Sequence, residues 1–329
     1  MIGIVSLLTG SGYLVVRRAQ RKLVERHGVS IDGFARPHVT YAVGTLEGEL
    51  DALSRRLAIL AAETDPVIIQ AIGLGIFPGP QPVLYLPVPR GPELASVQQQ
   101  VCDHLVAAGG VLEPNYGRDS WLPHVTLTTH GLTNDGLPGA IGDLPAPCLN
   151  LKNRLIGLSL AEEVAPQCWE KTAEFLFRGV DMLGPNPAGL VARPCQPWDR
   201  DLVYRLVEET MRPIISAYFE WDEERFDRDF AESWRRKRII LLNGRPVGYI
   251  QVDGSAVDQF YIAGLILDPA VHGQGLGSWL LGYLEGMAGG RPVRLHVWEN
   301  NRALDFYGHH GYQVLRAKGH KLLLEKRPG

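Results

Sequence analysis

Along the first part of the chain the apolar positions alternate between strand-length runs and helical stripes. "MIGIVSLL" and "PHVTYAVG" are short apolar or alternating runs, and "GYLVVRRAQRKLVERHG" between them spaces its apolar residues three and four apart and closes on Gly28. That pattern predicts strand, helix, strand. "GELDALSRRLAILAAET" predicts a second helix, "PVLYLPV" a strand, "PELASVQQQVCDHLVAAGG" a helix with a glycine stop, and "LPHVTLTTHG" another strand. Beyond Lys152, "NRLIGLSLAEEV" and "KTAEFLFRG" predict a closing strand pair. Prolines and glycines then crowd into "DMLGPNPAGL", which predicts a linker at 181–190.

After the linker, "LVARPCQPWDRDLVYRLVEETM" predicts a strand and a helix, and "KRIILLNGRPVGYIQVDG" a hairpin turning at Asn243-Gly244. "LILDPAVHGQGLGSWLLGYLEGMA" reads as a strand that passes through glycines into a helix, and "RLHVWENNRALDFYGHHGYQV" as strand, short helix, last strand. The expectation is α+β architecture in two domains, 1–180 and 191–329. Length agrees, since 329 residues exceed one ordinary domain, and 45% hydrophobic content supplies a core for each half.

Charge and cysteine content narrow the chemistry. A net charge of -3 excludes a polybasic protein that grips a long nucleic-acid duplex by neutralising phosphates, and leaves a short or cyclic nucleotide open. The four cysteines, Cys102, Cys148, Cys168 and Cys195, form no CxxC pair, so neither a zinc ribbon nor a disulfide framework is expected. The first residues lack a basic leader, and glycines interrupt them before membrane-spanning length. A cytoplasmic protein without a membrane partner is the expectation.

Pro-His-Val-Thr occurs twice, at Pro37–Thr40 and Pro123–Thr126. On a strand, His38 and Thr40 share a face while Val39 points to the other, and His124, Val125 and Thr126 repeat the arrangement. Two such strands facing each other across a groove set two imidazoles opposite one another. That suits in-line displacement at phosphorus without a metal: one neutral imidazole takes a proton from the attacking hydroxyl and the other, protonated, gives one to the leaving oxygen. A lone strand histidine is ordinarily structural. Recurrence of the four-residue motif sets this chain apart.

At these residues the first half resembles the 2H phosphoesterases, the superfamily that includes the 2'-5' RNA ligases and cyclic nucleotide phosphodiesterases. The resemblance covers about residues 1–180 and implies a two-lobed fold of two antiparallel sheets of four-stranded type with helices. It implies a site made of His38, Thr40, His124 and Thr126, no metal, and a nucleotide or RNA-end phosphoester as substrate: a 2',3'-cyclic phosphate, or a 2'-5' or related phosphodiester. An aromatic residue usually stacks the base in that family, and Tyr41, Phe77, Tyr85, Tyr116 and Trp121 are the candidates. Arg36 and Arg118 are candidate phosphate contacts.

In the second half, Gly273, Gly275 and Gly277 open a helix whose unpaired backbone N–H groups and partial positive charge suit a pyrophosphate. The spacing is not that of a dinucleotide fingerprint. With the later Asn300, Ala303, Phe306, Tyr307 and Gly311-Tyr312, these residues resemble the GNAT N-acetyltransferases over about 190–327. The resemblance implies a mixed central sheet flanked by helices and acetyl-CoA as cofactor. It implies a pyrophosphate held by the backbone of His272, Gly273, Gln274, Gly275, Leu276 and Gly277, and a pantetheine arm against Leu265, Ile266 and Leu267. Asn300 would lie beside the cofactor and Tyr307 would be the acid for the thiolate. His272 departs from the usual Gln or Arg. The amine acceptor is unidentified; among Glu220, Asp222, Glu223 and Glu224, Glu220 is the choice for its site.

The expectation is therefore a bifunctional enzyme, a metal-independent phosphodiesterase fused to an acetyl-CoA-dependent N-acetyltransferase, with related substrates suggested by the fusion. The alternative is a first half that senses a nucleotide without turnover and regulates the transferase. A purely structural first half is disfavoured by retention of both His-Val-Thr triplets.

Overall fold

A computed structural model describes residues 1–31, 36–184 and 186–328. Pro185 of the expected linker lies outside the described residues. The chain divides into two compact units, Met1–Asp181 and Met182–Gly329.

In the first unit, strand β1 (Ile2–Leu7) is followed by helix α1 (Gly10–His27), β2 (His38–Leu46), α2 (Leu50–Glu63), β3 (Val67–Ile72), β4 (Gly75–Phe77) and β5 (Val83–Pro87). Then come α3 (Pro92–Ala107), β6 (Gly110–Leu112), β7 (His124–Thr126), α4 (Leu137–Gly142), β8 (Asn150–Leu155), β9 (Gly157–Ala165) and β10 (Cys168–Leu176). A five-stranded antiparallel sheet runs β10-β9-β1-β2-β6, beside a three-stranded sheet β4-β5-β7 and a pair β3-β8. The unit is α+β with antiparallel sheets, as expected, but its strands divide five, three and two. Helices α2 and α3 cover one face of the large sheet, burying Leu53, Leu57, Val101 and Leu105 with Tyr41 of β2. Because side chains alternate, His38 and Thr40 are left on the other face.

Two expected strands are shorter than their sequence suggests. "LPHVTLTTHG" is strand only at His124–Thr126, because the amides of Leu127 and Thr128 both reach the single carbonyl of Leu84 and the ladder ends there. "NRLIGLSLAEEV" is divided between β8, which pairs with β3, and β9, which forms the hairpin with β10.

The second unit holds β11 (Leu190–Pro194), α5 (Arg200–Ile215), α6 (Glu223–Ser233), β12 (Lys237–Leu242), β13 (Arg245–Asp253) and β14 (Phe260–Leu267). It ends with α7 (Leu276–Met287), β15 (Val293–Trp298), α8 (Ala303–His309), β16 (Gln313–Lys318) and β17 (Lys321–Lys326). The seven strands form one sheet, β11-β12-β13-β14-β15-β17-β16, mixed because β14 and β15 run parallel. Asn243 and Gly244, at φ 51° and 74°, make the expected two-residue turn between β12 and β13. Leu276, Leu280, Leu281 and Leu284 of α7 pack into the core of this unit, and so do Leu183 and Leu190. The Met182 amide donates to Ala192 and the Met182 carbonyl accepts from Tyr283, so the end of the breaker-rich stretch is fastened to this unit.

A buried ion pair anchors the start of the sheet. Arg193 donates two hydrogen bonds to Asp199, at 2.7 and 2.9 Å, with both side chains out of water. Asp199→Ala leaves the guanidinium buried without its carboxylate, and is expected to destabilise the second unit by about 3–5 kcal/mol. The check is the chemical-denaturation midpoint of the chain, which should fall; an unchanged midpoint refutes the anchoring role.

Candidate functional site

The two Pro-His-Val-Thr copies are held by the same backbone device. In the first, the Pro37 carbonyl accepts from the Leu8 amide at 2.9 Å, just past the end of β1. In the second, the Pro123 carbonyl accepts from the Val88 amide at 3.0 Å, just past the end of β5. Each histidine stands opposite the last residue of its neighbouring strand, His38 opposite Leu7 and His124 opposite Pro87. Each ring then turns back over its proline. His38 Nδ1 bonds the Arg36 carbonyl at 2.5 Å, and His124 Nδ1 bonds the Leu122 carbonyl at 2.7 Å. A carbonyl only accepts, so Nδ1 carries the hydrogen in both rings, and exchange of a proton with a bound molecule falls to Nε2.

The valines do the anchoring. Val39 and Val125 are fully buried, and the four polar residues between and beside them line one cavity of about 260 Å³. His38 and Thr40 enter it from the five-stranded sheet, and His124 and Thr126 from the three-stranded one. Side chains outside both motifs hold the two strands in place. Trp121 Nε1 donates to the Thr40 carbonyl at 2.8 Å, and Gln20 Nε2 of α1 donates to the Thr126 carbonyl at 3.0 Å. Burial, opposed by the bond to the Arg36 carbonyl and helped by the neighbouring His124, holds the His38 imidazole down at about 4, and burial also lowers His124.

The aromatic candidates separate by burial. Tyr41 is fully buried, with its hydroxyl 3.0 Å from Ser6, and Trp121 is buried beneath Arg90. Both are core residues. Tyr116 lines the cavity, while Phe77 and Tyr85 stack on one another at 4.2 Å and each meets the His124 ring edge-on. Arg36 lines the cavity; Arg118 does not, and its carbonyl accepts from Arg90. Trp169 and Gln20 are among the lining residues that sequence reasoning missed. Trp169 leans over Gly3, where a Cβ would stand 3.1 Å from its ring, so the glycine makes room for the indole. Gln20 is 2% exposed, a polar residue inside the apolar stripe of α1, and that mismatch was the signal available.

In the second unit the parallel strands β14 and β15 pair only from Phe260 to Ile262 and from Val293 to Leu295. Leu265, Ile266 and Leu267 pair with β13 on one side, and have no ladder partner toward β15 among the described residues. Just beyond, Gly273 and Gly275 take φ of +75° and +78°, with nothing within 4 Å of where a Cβ would stand. Left-handed backbone of this kind favours glycine, and here it turns the amides of Leu276 and Gly277 to the open end of α7. His272 sends Nε2 to the Leu267 carbonyl at 3.0 Å, and Gln274 reaches the Ala270 carbonyl. Gly277 faces the Phe306 ring, next to Tyr307 on α8. Tyr307 is 8% exposed, and burial pushes its hydroxyl up to about 12.

Asn300 donates to the Ile214 carbonyl at 3.1 Å, joining the end of β15 to the end of α5. Glu220 lies in a shallow concavity with Arg212, Ser216, Tyr218, Phe219 and Trp221. Its three acidic neighbours are otherwise engaged: Asp222 caps α6, Glu223 pairs with Arg200, and Glu224 lies near Arg228.

The family model of the 2'-5' RNA ligase superfamily matches residues 15–144, and that of the acetyltransferase (GNAT) family matches residues 201–312. Among curated proteins nothing matches. Solved structures similar to part of the chain include the PaiA N-acetyltransferase of Thermoplasma acidophilum in complex with coenzyme A, at 16% identity. It covers 42% of this chain and 99% of its own, with a TM-score of 0.35. An acetyltransferase of Thermus thermophilus is 23% identical over 43% of this chain and 97% of its own, with a TM-score of 0.36. The ribosomal-protein-S18-alanine N-acetyltransferase of Escherichia coli is 18% identical over 42% and 93%, with a TM-score of 0.32. The chain thus joins a first unit similar to the 2'-5' RNA ligase superfamily to a second similar to the GNAT acetyltransferases.

Proposed function

We propose that the first unit hydrolyses a phosphodiester of a nucleotide or RNA end, a 2',3'-cyclic phosphate being the simplest form, and that the second is an acetyl-CoA-dependent N-acetyltransferase. The observation that carries the first reading is the pair of imidazoles lining one cavity, each with Nδ1 fixed by a backbone carbonyl. His38, the more strongly depressed, takes a proton from water at Nε2, and His124 returns one to the leaving oxygen. Thr40 and Thr126 donate to the non-bridging oxygens. No carboxylate is among the described residues that line the cavity, and a set of imidazoles and hydroxyls suits proton transfer better than capture of a hard divalent cation.

The second unit's residues fit acetyl-CoA. The amides at the open end of α7, beside two glycines with free space around them, suit a pyrophosphate. The unpaired edge at Leu265, Ile266 and Leu267 offers backbone groups to a pantetheine arm, and the cofactor when bound supplies an activated acetyl thioester. Tyr307, kept protonated by burial, holds the proton that a departing thiolate needs. Asn300 acts by fixing the loop between β15 and α8 against α5, and Glu220 is the acceptor-side residue in an open concavity.

The first reading is tested by turnover of 2',3'-cyclic nucleotides in EDTA. His38→Ala and His124→Ala are each expected to lower kcat/KM by at least about 10²–10⁴-fold, the range of one general acid or base. Unchanged turnover in either variant, or binding without turnover in the wild type, overturns it. The pH profile carries a sign. Both histidines titrate below their ordinary 6.5, so near neutrality the free pair lacks the proton its acid requires. Accordingly kcat/KM should peak below pH 6.5 and fall about tenfold per unit above the higher of the two values; a plateau through pH 8 contradicts the assignment. For the second unit, Tyr307→Phe should lower the acetyl-transfer kcat by about 10²-fold while coenzyme A binding, followed by calorimetry, stays unchanged. Equal kcat in the variant removes Tyr307 from the chemistry.

A further inference from the structure

Where the ladder between β14 and β15 ends, a side-chain pair bridges the two strands. Tyr261 Oη lies 2.7 Å from His296 Nδ1, with the two rings edge to face, and His296 is the first residue of β15 past the paired Leu295. Alternation along each strand decides which face the pair takes. Phe260 and Ile262 of β14 and Leu295 and Val297 of β15 pack into the core with α7, so Tyr261 and His296 stand on the opposite face of the sheet. Tyr307 belongs to the α7 side, within that same core. The sheet thus carries the phenol proposed for the thiolate on one side and an unassigned imidazole on the other. His296 is exposed and Tyr261 half-buried, so a molecule approaching that face meets the imidazole.

Acetyl transfer makes two demands, a proton for the departing sulfur and a proton acceptor for the incoming nitrogen, and the second has no residue yet. The Tyr261–His296 pair stands just before the unpaired stretch Leu265, Ile266 and Leu267, on the face left open to a second substrate. The charged groups around His296 are the Arg294–Glu325 pair on the same face, 2.8 Å apart, and Lys321, Arg316 and Lys318 of β16 and β17. Burial and those three cations hold the imidazole below its ordinary value, so the ring is neutral near pH 7. His320, in the turn between β16 and β17, is engaged elsewhere. Its Nδ1 bonds Glu299 at 2.8 Å and its ring stacks on Tyr218 at 3.9 Å, which fastens the turn to the segment after α5.

We propose that His296 is the proton acceptor for the amine, with Tyr261 as its positioning residue. Nδ1–H donates to the Tyr261 oxygen and leaves the Nε2 lone pair for the incoming nitrogen. As the C–N bond forms and the C–S bond breaks, Nε2 takes the proton that the nitrogen loses and Tyr307 gives its proton to the thiolate. Exchange with water then restores both side chains. The proposal rests on the transferase reading of the second unit.

The first readout needs no acceptor. In the full chain labelled with 15N-histidine, long-range proton–nitrogen NMR reports the tautomer of each ring, and the His296 signals are those absent from His296→Gln. The neutral ring is expected with its hydrogen on Nδ1, and Tyr261→Phe should shift that hydrogen toward Nε2. A wild-type ring with its hydrogen on Nε2 overturns the proposal. The second readout is acetyl transfer from acetyl-CoA to glycinamide, spermidine and phenethylamine at saturation. His296→Gln should lower kcat about 10²-fold near pH 7 with coenzyme A affinity unchanged. The wild type's kcat should fall as pH drops through the His296 titration, below 6.5, and that fall should vanish in the variant. An unchanged kcat, or a fall that persists in His296→Gln and vanishes in His320→Gln instead, overturns the assignment. Where none of the three amines is acetylated, the tautomer decides alone. A chain that binds no coenzyme A fails the transferase reading itself, whereas the wrong tautomer or an unchanged kcat in a chain that binds it fails only this proposal.

Discussion

The hydrogen bond from each histidine Nδ1 to the carbonyl two residues earlier, across a proline, is the constraint on which the first unit's site depends. It fixes the tautomer, it points Nε2 away from the backbone, and it does so identically in two strands that belong to different sheets. Proline makes the device economical. It has no amide of its own to satisfy, its φ is preset, and it holds the preceding residue extended so that the carbonyl is presented to the ring. The proline carbonyl is then used by the amide of Leu8 or Val88, which ties the imidazole to the end of the neighbouring strand. The recurrence of four residues in the sequence is therefore a recurrence of one local geometry.

That geometry was legible because its parts are local. The alternation of His, Val and Thr, the proline before them, the glycine stop of α1 at Gly28 and the Asn243-Gly244 turn each act through neighbours in the chain. What the sequence concealed acts across it. β3, "VIIQAI", alternates buried and exposed positions in the fold, yet both faces carry isoleucine, so no period of two is visible in its residues. β8 does alternate, but only Ile156 separates it from Gly157 at the start of β9, a single glycine that reads equally as a bulge within one strand, and it is the pairing with β3 that divides the two. Trp169 joins the cavity through a gap at Gly3, more than a hundred positions away. Gln20 differs: a buried amide on an apolar helical stripe stands out in the sequence once helix α1 is assigned.

In the second unit the same division holds. Gly273 and Gly275 require positive φ, and the glycine pattern announced it. The parting of β14 from β15 after three paired residues has no counterpart in either strand's composition, since "FYIAGLIL" and "VRLHVW" are both good strands. His272 shows how a departure from a family pattern is absorbed. Its imidazole bonds the Leu267 carbonyl, the last of β14, and so bridges the strand to the glycine turn that follows. A histidine there steadies the turn from within, and in the proposed acetyl-CoA site the pyrophosphate is left to the backbone amides that the two positive-φ glycines open.

Burial and catalysis make opposite demands on the paired histidines, and the proposed substrate reconciles them. Desolvation favours both rings neutral, whereas displacement at phosphorus with two imidazoles needs one of them charged. A phosphodiester carries one negative charge, and its entry into a small cavity with no carboxylate among the described lining residues raises the proton affinity of both rings at once. On that reading proton uptake is coupled to binding, and the imidazolium forms where the anion is. On the same reading the threonine hydroxyls serve the phosphate, on strands that Trp121 and Gln20 hold by the threonine carbonyls. The lowered proton affinity of both imidazoles is thus a consequence of the burial that orients them, and on the proposed reading the bound anion is what makes one imidazole an acid.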